Sequence, residues 1–173
     1  MLDVGFISDP HLGHLNMAIK RGYKDLDTYH KDVIDRYNSV AGKKTMMIIP
    51  GDITMEKKSF YPLLNELNGR KIVVGGNHDL REHSRDMLNF VESIVGALEY
   101  KGCIITHIPI HASEVDRFRF NIHGHTHEHL VLRFIYNPLV VKAREEIDPR
   151  YKNVSWERLN GIPVSMDYVI NSL

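Results

Sequence analysis

The sequence predicts an α/β fold, with strands and helices alternating in the first half and mixed, partly antiparallel sheets in the second. Two observations lead there. Short apolar or β-branched runs alternate with helical patterns as far as Val91, and beyond it strand-like runs follow one another through short connections. The first strand is Val4 to Ile7. Leu26, Tyr29, Val33, Ile34, Tyr37 and Val40 then keep helical spacing from an aspartate-rich start to a stop at Gly42. A second strand covers Met46 to Ile49. Phe60, Leu63, Leu64 and Leu67 predict a second helix ending before Gly69, and Lys71 to Val74 a third strand. A third helix is expected over Arg81 to Val91, with Met87, Leu88 and Val91 inward. Leu98 to Thr106, Phe120 to Ile122, Leu130 to Ile135 and Tyr151 to Trp156 read as the later strands. The turn signals Tyr136-Asn137-Pro138 and Asp148-Pro149-Arg150 bracket Lys142 to Glu146, expected as an exposed loop or short helix. Ser165 is placed to cap a last helix through Val169. With no repeat or linker, residues 1–173 are expected to form one domain.

Composition narrows the function classes. A chain of 173 residues, 43% hydrophobic and 25% charged, is that of a globular protein, not a collagenous, disordered or coiled-coil one. Twenty-two basic residues balance twenty-two acidic ones, which argues against wrapping long nucleic acid or lying on an anionic membrane. The single cysteine, Cys103, forms neither an internal disulfide nor a cysteine-based zinc site, and reads as an inert buried thiol. No basic region precedes the short apolar run at Val4, and no apolar stretch is long enough to span a bilayer. A cytoplasmic protein without a membrane partner is therefore expected. The unusual feature is histidine: of eleven, six lie between His107 and His129.

Polar residues able to bind metal follow each predicted strand at once. Asp9-Pro10-His11 follows the first, Gly51-Asp52 the second and Gly76-Asn77-His78-Asp79 the third; His107 and His123-Gly124-His125-Thr126-His127 follow later ones. In open α/β sheets the carboxyl ends of strands form the ligand crevice, so five clusters spread along the chain can converge there. One Gly-Asp or Asn-His pair is ordinarily only a turn. Five, all just after apolar runs, are not explained as independent turns.

Together, Asp9-Pro10-His11, Gly51-Asp52, Gly76-Asn77-His78-Asp79, Thr106-His107 and Gly124-His125-Thr126-His127 resemble, in order and rough spacing, the five motifs of the calcineurin-like metallophosphoesterase superfamily. The phrases Ser8 to His14, His107 to His111 and Asp148 to Ser155 are similar to a small bacterial and phage branch. The resemblance implies two mixed β-sheets packed as a sandwich flanked by helices, a four-layer αββα arrangement. It implies that Asp9, His11, Asp52 and His127 hold one metal and that Asp52, Asn77, His107 and His125 hold another, with Asp52 bridging. His78, hydrogen-bonded by Asp79, would reach the substrate without binding metal.

Oxygen and imidazole donors without thiolate suit divalent ions, Mn²⁺ first and then Fe, Zn²⁺, Ni²⁺ or Mg²⁺. Only Asp9 and Asp52 carry negative charge among these ligands, so two bound ions leave a net positive site suited to phosphate. The expected activity is hydrolysis of a phosphodiester, in preference to a phosphomonoester, by attack of a metal-bridging hydroxide. The substrate partner expected is a small phosphate ester, a nucleotide or a nucleic-acid end. Further candidates for touching phosphate are His14, Asn16 and His111, together with Asn77. His123 is expected to support its neighbours, and His30, His83 and His129 to lie on the surface. Two rivals, a silent scaffold with this fold and a histidine-rich metal-binding module using Gly124 to His129 alone, are weaker. The first would have lost ligands, and the second leaves Asp9, Asp52 and Asn77 unexplained.

Overall fold

The computed structural model describes residues 1–55, 57–81, 83–137 and 142–173. Strands β1 (Val4–Phe6), β2 (Met46–Ile49), β3 (Arg70–Val74) and β4 (Ser93–Val95) run parallel in one sheet, whose far edge is the antiparallel β11 (Val164–Ser165). The second sheet has the order β10-β7-β6-β5, from β5 (Leu98–Tyr100), β6 (Cys103–Ile105), β7 (Asn121–His123) and β10 (Tyr151–Asn153). There β6, β7 and β10 are parallel and only β5 is antiparallel. Both sheets are mixed, and they pack as a sandwich. Phe6, Ile48 and Val73 of the first share one core with Cys103, Ile105 and Ile122 of the second, and the Phe6 and Tyr100 rings lie 6.3 Å apart between them. The sheets are joined at one end. Ser8 pairs with Ser155 beyond β1 and β10, its amide donating to Val154 O at 2.8 Å and its carbonyl accepting from Trp156 N at 2.9 Å.

Among the helices, α2 (Leu26–Val40) forms as its sequence predicts. Asp25 caps it by accepting from Thr28 N at 2.8 Å, and Tyr29, Val33 and Tyr37 recur on its buried face. Each apolar side chain so buried contributes about 1.5–3 kcal/mol. Tyr29 also donates its hydroxyl to Pro10 O, so the helix braces the loop after β1. Helix α5 (Met166–Ser172) is capped by Ser165, which accepts from Tyr168 N. No helix among the described residues is long and apolar enough to cross a membrane.

Several expectations are corrected. Lys142 to Glu146 is strand, not loop or helix: β9 (Lys142–Ile147) pairs antiparallel with β8 (Leu132–Asn137) in a separate hairpin. Its charges are compatible with a strand because Arg133 and Glu146 face one another across the pair at 2.6 Å. The Pro138 turn lies outside the described residues. The segment from Phe60 forms a 3-10 helix, Lys58–Asn65, because Pro62 within it has no amide to donate to an α-helical bond. The helix expected over Arg81 to Val91 contracts to α3 (Ser84–Met87), which buries Met87 but leaves Leu88 about half exposed. Leu98 to Thr106 breaks at Lys101-Gly102 into β5 and β6. Two short helices, α1 (Leu15–Lys20) and α4 (Ala112–Val115), and the strands β4 and β11 lie where the sequence pattern predicts no element. Before α4, Ile110 donates to Asn121 Oδ1 on β7 and accepts from the Tyr151 hydroxyl on β10, tying that segment to the second sheet.

Candidate metal centre

The parallel strands of both sheets deliver their following loops to one place. Asp9 and His11 follow β1, Asp52 follows β2, Asn77 and His78 follow β3, His107 follows β6, and His125 and His127 follow β7. The backbone there is unusual. Seven non-glycine residues among those described have positive φ, and five are Asp9, His11, Asp52, His125 and His127, between 48° and 66°. Each such conformation costs about 1–3 kcal/mol and persists only where surrounding contacts enforce it. Strain therefore collects where the candidate ligand side chains converge.

Each carboxylate is held by one oxygen and presents the other. Asp9 Oδ2 accepts from His125 N at 2.9 Å and lies 2.6 Å from Ser8 Oγ, while Asp9 Oδ1 is buried with no hydrogen-bond partner. Asp52 Oδ1 accepts from His78 N at 2.9 Å. Its Oδ2 lies 3.4 Å from His107 Nε2, 3.8 Å from His11 Nε2 and 3.9 Å from His78 Nε2. The candidate ligand atoms form three groups, each within 4.8 Å: Asp9, His11 and His127; His11, Asp52 and His78; and Asp52, His107 and His125. Asn77 Oδ1 joins the last, 3.1 Å from His107 Nε2, and His125 Nδ1 is likewise 3.1 Å from that nitrogen. Asp52 thus links the two ends of the cluster.

The donor set fits divalent cations. A buried carboxylate oxygen and both ring nitrogens of His11 lack hydrogen-bond partners, a costly arrangement that a cation would offset. Burial raises the Asp9 carboxyl above its usual range and pulls His11 down to about 3, so His11 keeps a neutral ring of the form able to bind metal. Burial would lower His107 too, but the hydrogen bond and charge of Asp52 carry it to about 9. In return, Asp52 is held at about 2 by His107 and the His78 amide against the opposing effect of burial. His107 Nδ1 meets Pro50 O at 2.8 Å and must donate there, which turns Nε2 toward Asp52. The loops also come too close for side chains at two glycines. A Cβ on Gly76 would lie 2.2 Å from Asp52 Oδ1, and one on Gly124 1.9 Å from Ser8 Oγ.

Asp79 does not take the place expected of it beside His78. Its buried carboxylate accepts from Asp52 N at 2.6 Å, Gly76 N at 3.0 Å and Ile53 N at 3.1 Å, so it pins the Asp52 loop to the Asn77 loop. Burial lifts it to about 6 despite those bonds. His78 is partly exposed, and its grouping with His11 and Asp52 puts it within ligand reach as well as substrate reach. His14 caps α1 and stands at the rim, its ring 5.6 Å from His11 and 6.0 Å from His78. Asn16 is exposed on α1. His111 is an exposed cap of α4 that accepts from Ser113 N, and no contact among the described residues joins Asn16 or His111 to the cluster. His123 is buried, its Nδ1 2.9 Å from Gly124 O, and burial lowers it to about 4. His30 is a correction: it is buried, and its Nε2 accepts from Gly13 N at 2.9 Å.

Two residues that sequence reasoning passed over complete the centre. Glu157 Oε2 lies 3.0 Å from His127 Nδ1, and its Oε1 accepts from Arg21 at 2.6 Å. Arg21 also donates to Asp9 O at 2.9 Å and Pro10 O at 3.2 Å, and its guanidinium lies over the Trp156 ring. Glu157 therefore fixes which His127 nitrogen faces the centre, while Arg21 holds the Asp9 turn. Supporting carboxylates of this kind contribute about 10–100-fold to metal affinity. Glu157→Ala is expected to weaken one ion by that factor and to leave the ion near His107 and His125 less affected. Calorimetric titration with Mn²⁺ checks this, and equal weakening of both ions would remove the local role.

No family model and no curated protein matches the chain. Among solved structures, a protein of unknown function from Aquifex aeolicus, AQ665, is similar with a TM-score of 0.62 at 20% identity, over 93% of this chain and 94% of its own. Nuclease MPE from Pseudomonas putida is similar with a TM-score of 0.52 at 15% identity, over 76% of this chain and 64% of its own. A metallophosphoesterase from Sphaerobacter thermophilus gives 0.40 at 17% identity, over 84% and 68%, too loose a match to argue from. With two mixed sheets joined beyond β1 and β10 and the five motifs at their strand ends, the chain shares its fold with the first two of these structures.

Proposed function

We propose that the chain is a metal-dependent phosphoesterase with two divalent ions, acting on a phosphodiester in preference to a monoester, with a nucleotide or nucleic-acid end as substrate. The observation that carries this is the placement of Asp52, which belongs both to the group with His11 and to the group with His107 and His125, its Oδ2 lying 3.8 Å from His11 Nε2 and 3.4 Å from His107 Nε2. Asp9, His11, Asp52 and His127 would hold one ion and Asp52, Asn77, His107 and His125 the other. When bound, such ions supply concentrated positive charge for phosphoryl oxygens and make water acidic enough to act as a nucleophile near neutral pH. Asp79 keeps the Asp52 and Asn77 loops in register, and Glu157 keeps His127 turned inward. His78, partly exposed and with its Nε2 3.9 Å from Asp52 Oδ2, would hand a proton to the departing ester oxygen. The likeness to a nuclease supports the diester preference. Mn²⁺ is the ion proposed, on the mixed oxygen and imidazole donors.

The test is exhaustive chelation, then return of single ions, with paired nitrophenyl mono- and diesters followed by nucleotides. Chelated protein should be inactive, Mn²⁺ should restore it best, and the diester should turn over faster. Full turnover by protein shown metal-free by elemental analysis would overturn the reading. So would failure of every ion to support hydrolysis.

A further inference from the structure

A cleft of about 380 Å³ opens directly beside the Asn77 and His107 end of the metal cluster. Its floor is the end of the first sheet. Gly75 N donates to Val95 O at 2.8 Å, which carries the β3–β4 pairing one step further and sets Gly75 next to Gly96. At Gly96 the floor is bare backbone, where a Cβ would meet nothing within 4 Å, whereas Leu80 packs directly on Gly75, its side chain 2.5 Å from where a Cβ would stand. Leu80 and Ile108 stand over it as walls, 56% and 55% exposed. Both are fixed rather than trailing. Leu80 N donates to Gly76 O at 3.1 Å, and Ile108 O accepts from the Thr106 hydroxyl at 2.7 Å. No aspartate, glutamate, lysine or arginine lines the cleft among the described residues.

A lone exposed leucine or isoleucine needs no explanation. Two facing one glycine-floored cleft, whose remaining edge is a pair of candidate metal ligands, do. The volume lies within the range of small-molecule sites, which combine apolar walls with a few polar groups. We propose that this cleft is the subsite for a planar, uncharged ring carried by the phosphate ester, an aryl group or a nucleobase, seated between Leu80 and Ile108 over the open backbone at Gly96. A phosphate held at Asn77 and His107 puts one ester substituent at the cleft mouth. The uncharged walls reject a second phosphate and reward apolar area. The inference rests on the phosphoesterase reading and adds to it where the organic part of the substrate lies.

The test is binding, independent of turnover. Mn²⁺-loaded protein is titrated calorimetrically with inorganic phosphate, methyl phosphate, phenyl phosphate and thymidine 5′-monophosphate. Wild type should bind the two ringed phosphates about tenfold or more tighter than methyl phosphate, the scale of one buried apolar group. Gly96→Leu, which fills the floor, and the double change Leu80→Ala with Ile108→Ala, which removes the walls, should each erase most of that difference. Inorganic and methyl phosphate should bind all three proteins alike. A gain for phenyl phosphate alone identifies an aryl site, and a gain for both identifies one that accepts a nucleobase. If ringed and methyl phosphates bind wild type equally, or both variants keep the full difference, the subsite is overturned while the metal centre stands. If no phosphate binds the loaded wild type, both readings fall.

Discussion

Asp52→Asn should abolish turnover and weaken both metal ions by more than about a hundredfold, beyond the 10–100-fold typical of residues that only support a ligand. The change is nearly isosteric. An asparagine oxygen can still accept from His78 N, as Asp52 Oδ1 does at 2.9 Å, so the loop has a reason to keep its shape. What it loses is the one charge, among the described residues, that stands within 4 Å of His11, His78 and His107 together. Near-native circular dichroism combined with loss of both ions is the expected outcome. A variant that keeps two ions at wild-type affinity and turns over normally would show that Asp52 does not bridge.

His78→Ala should lower turnover by about 10²–10⁴, the usual contribution of a positioned acid, while metal content stays near wild type. The leaving group makes this specific. A departing alkoxide needs a proton and a nitrophenolate scarcely does, so the loss should be larger for a nucleotide ester than for a nitrophenyl ester. Equal losses would point to stabilisation of phosphoryl charge instead. Because His78 lies within ligand reach of His11 and Asp52, the metal analysis is essential. If the variant loses an ion, His78 is a ligand and the acid role is wrong.

The parts of the fold legible in the sequence are those whose burial is one-dimensional. β1, β2 and β3 are apolar runs because both faces are covered, and α2 shows its period because Tyr29, Val33 and Tyr37 must all turn inward. β4 has three half-buried residues and β11 two, too little pattern to read. α1 buries only Ala18 and is capped by a histidine, an unusual capping residue. β9 hides its strand character under charges that only the facing β8 explains.

At the site, the convergence of the candidate ligands is legible because each lies within a few residues of a strand end. Their left-handed backbone was not, since Asp and His do not announce positive φ as glycine does. Arg21 and Glu157 were illegible for a different reason. They are 136 residues apart in sequence, and only the joining of β1 to β10 brings them together. Adjacency of Asp79 to His78 in sequence suggests a pair, and gives no hint that the Asp79 carboxylate turns back to the amides of Asp52 and Ile53.

The central claim is that two ions share Asp52. Ions bridged in this way sit about 3.5–4 Å apart, close enough for their electron spins to couple. Electron paramagnetic resonance of the protein titrated with Mn²⁺ reads both number and proximity. The account predicts two Mn²⁺ per chain at saturation with the spectrum of a coupled pair, replaced in Asp52→Asn by loss of that signal. One Mn²⁺ per chain, or two with the spectrum of isolated ions, would contradict it.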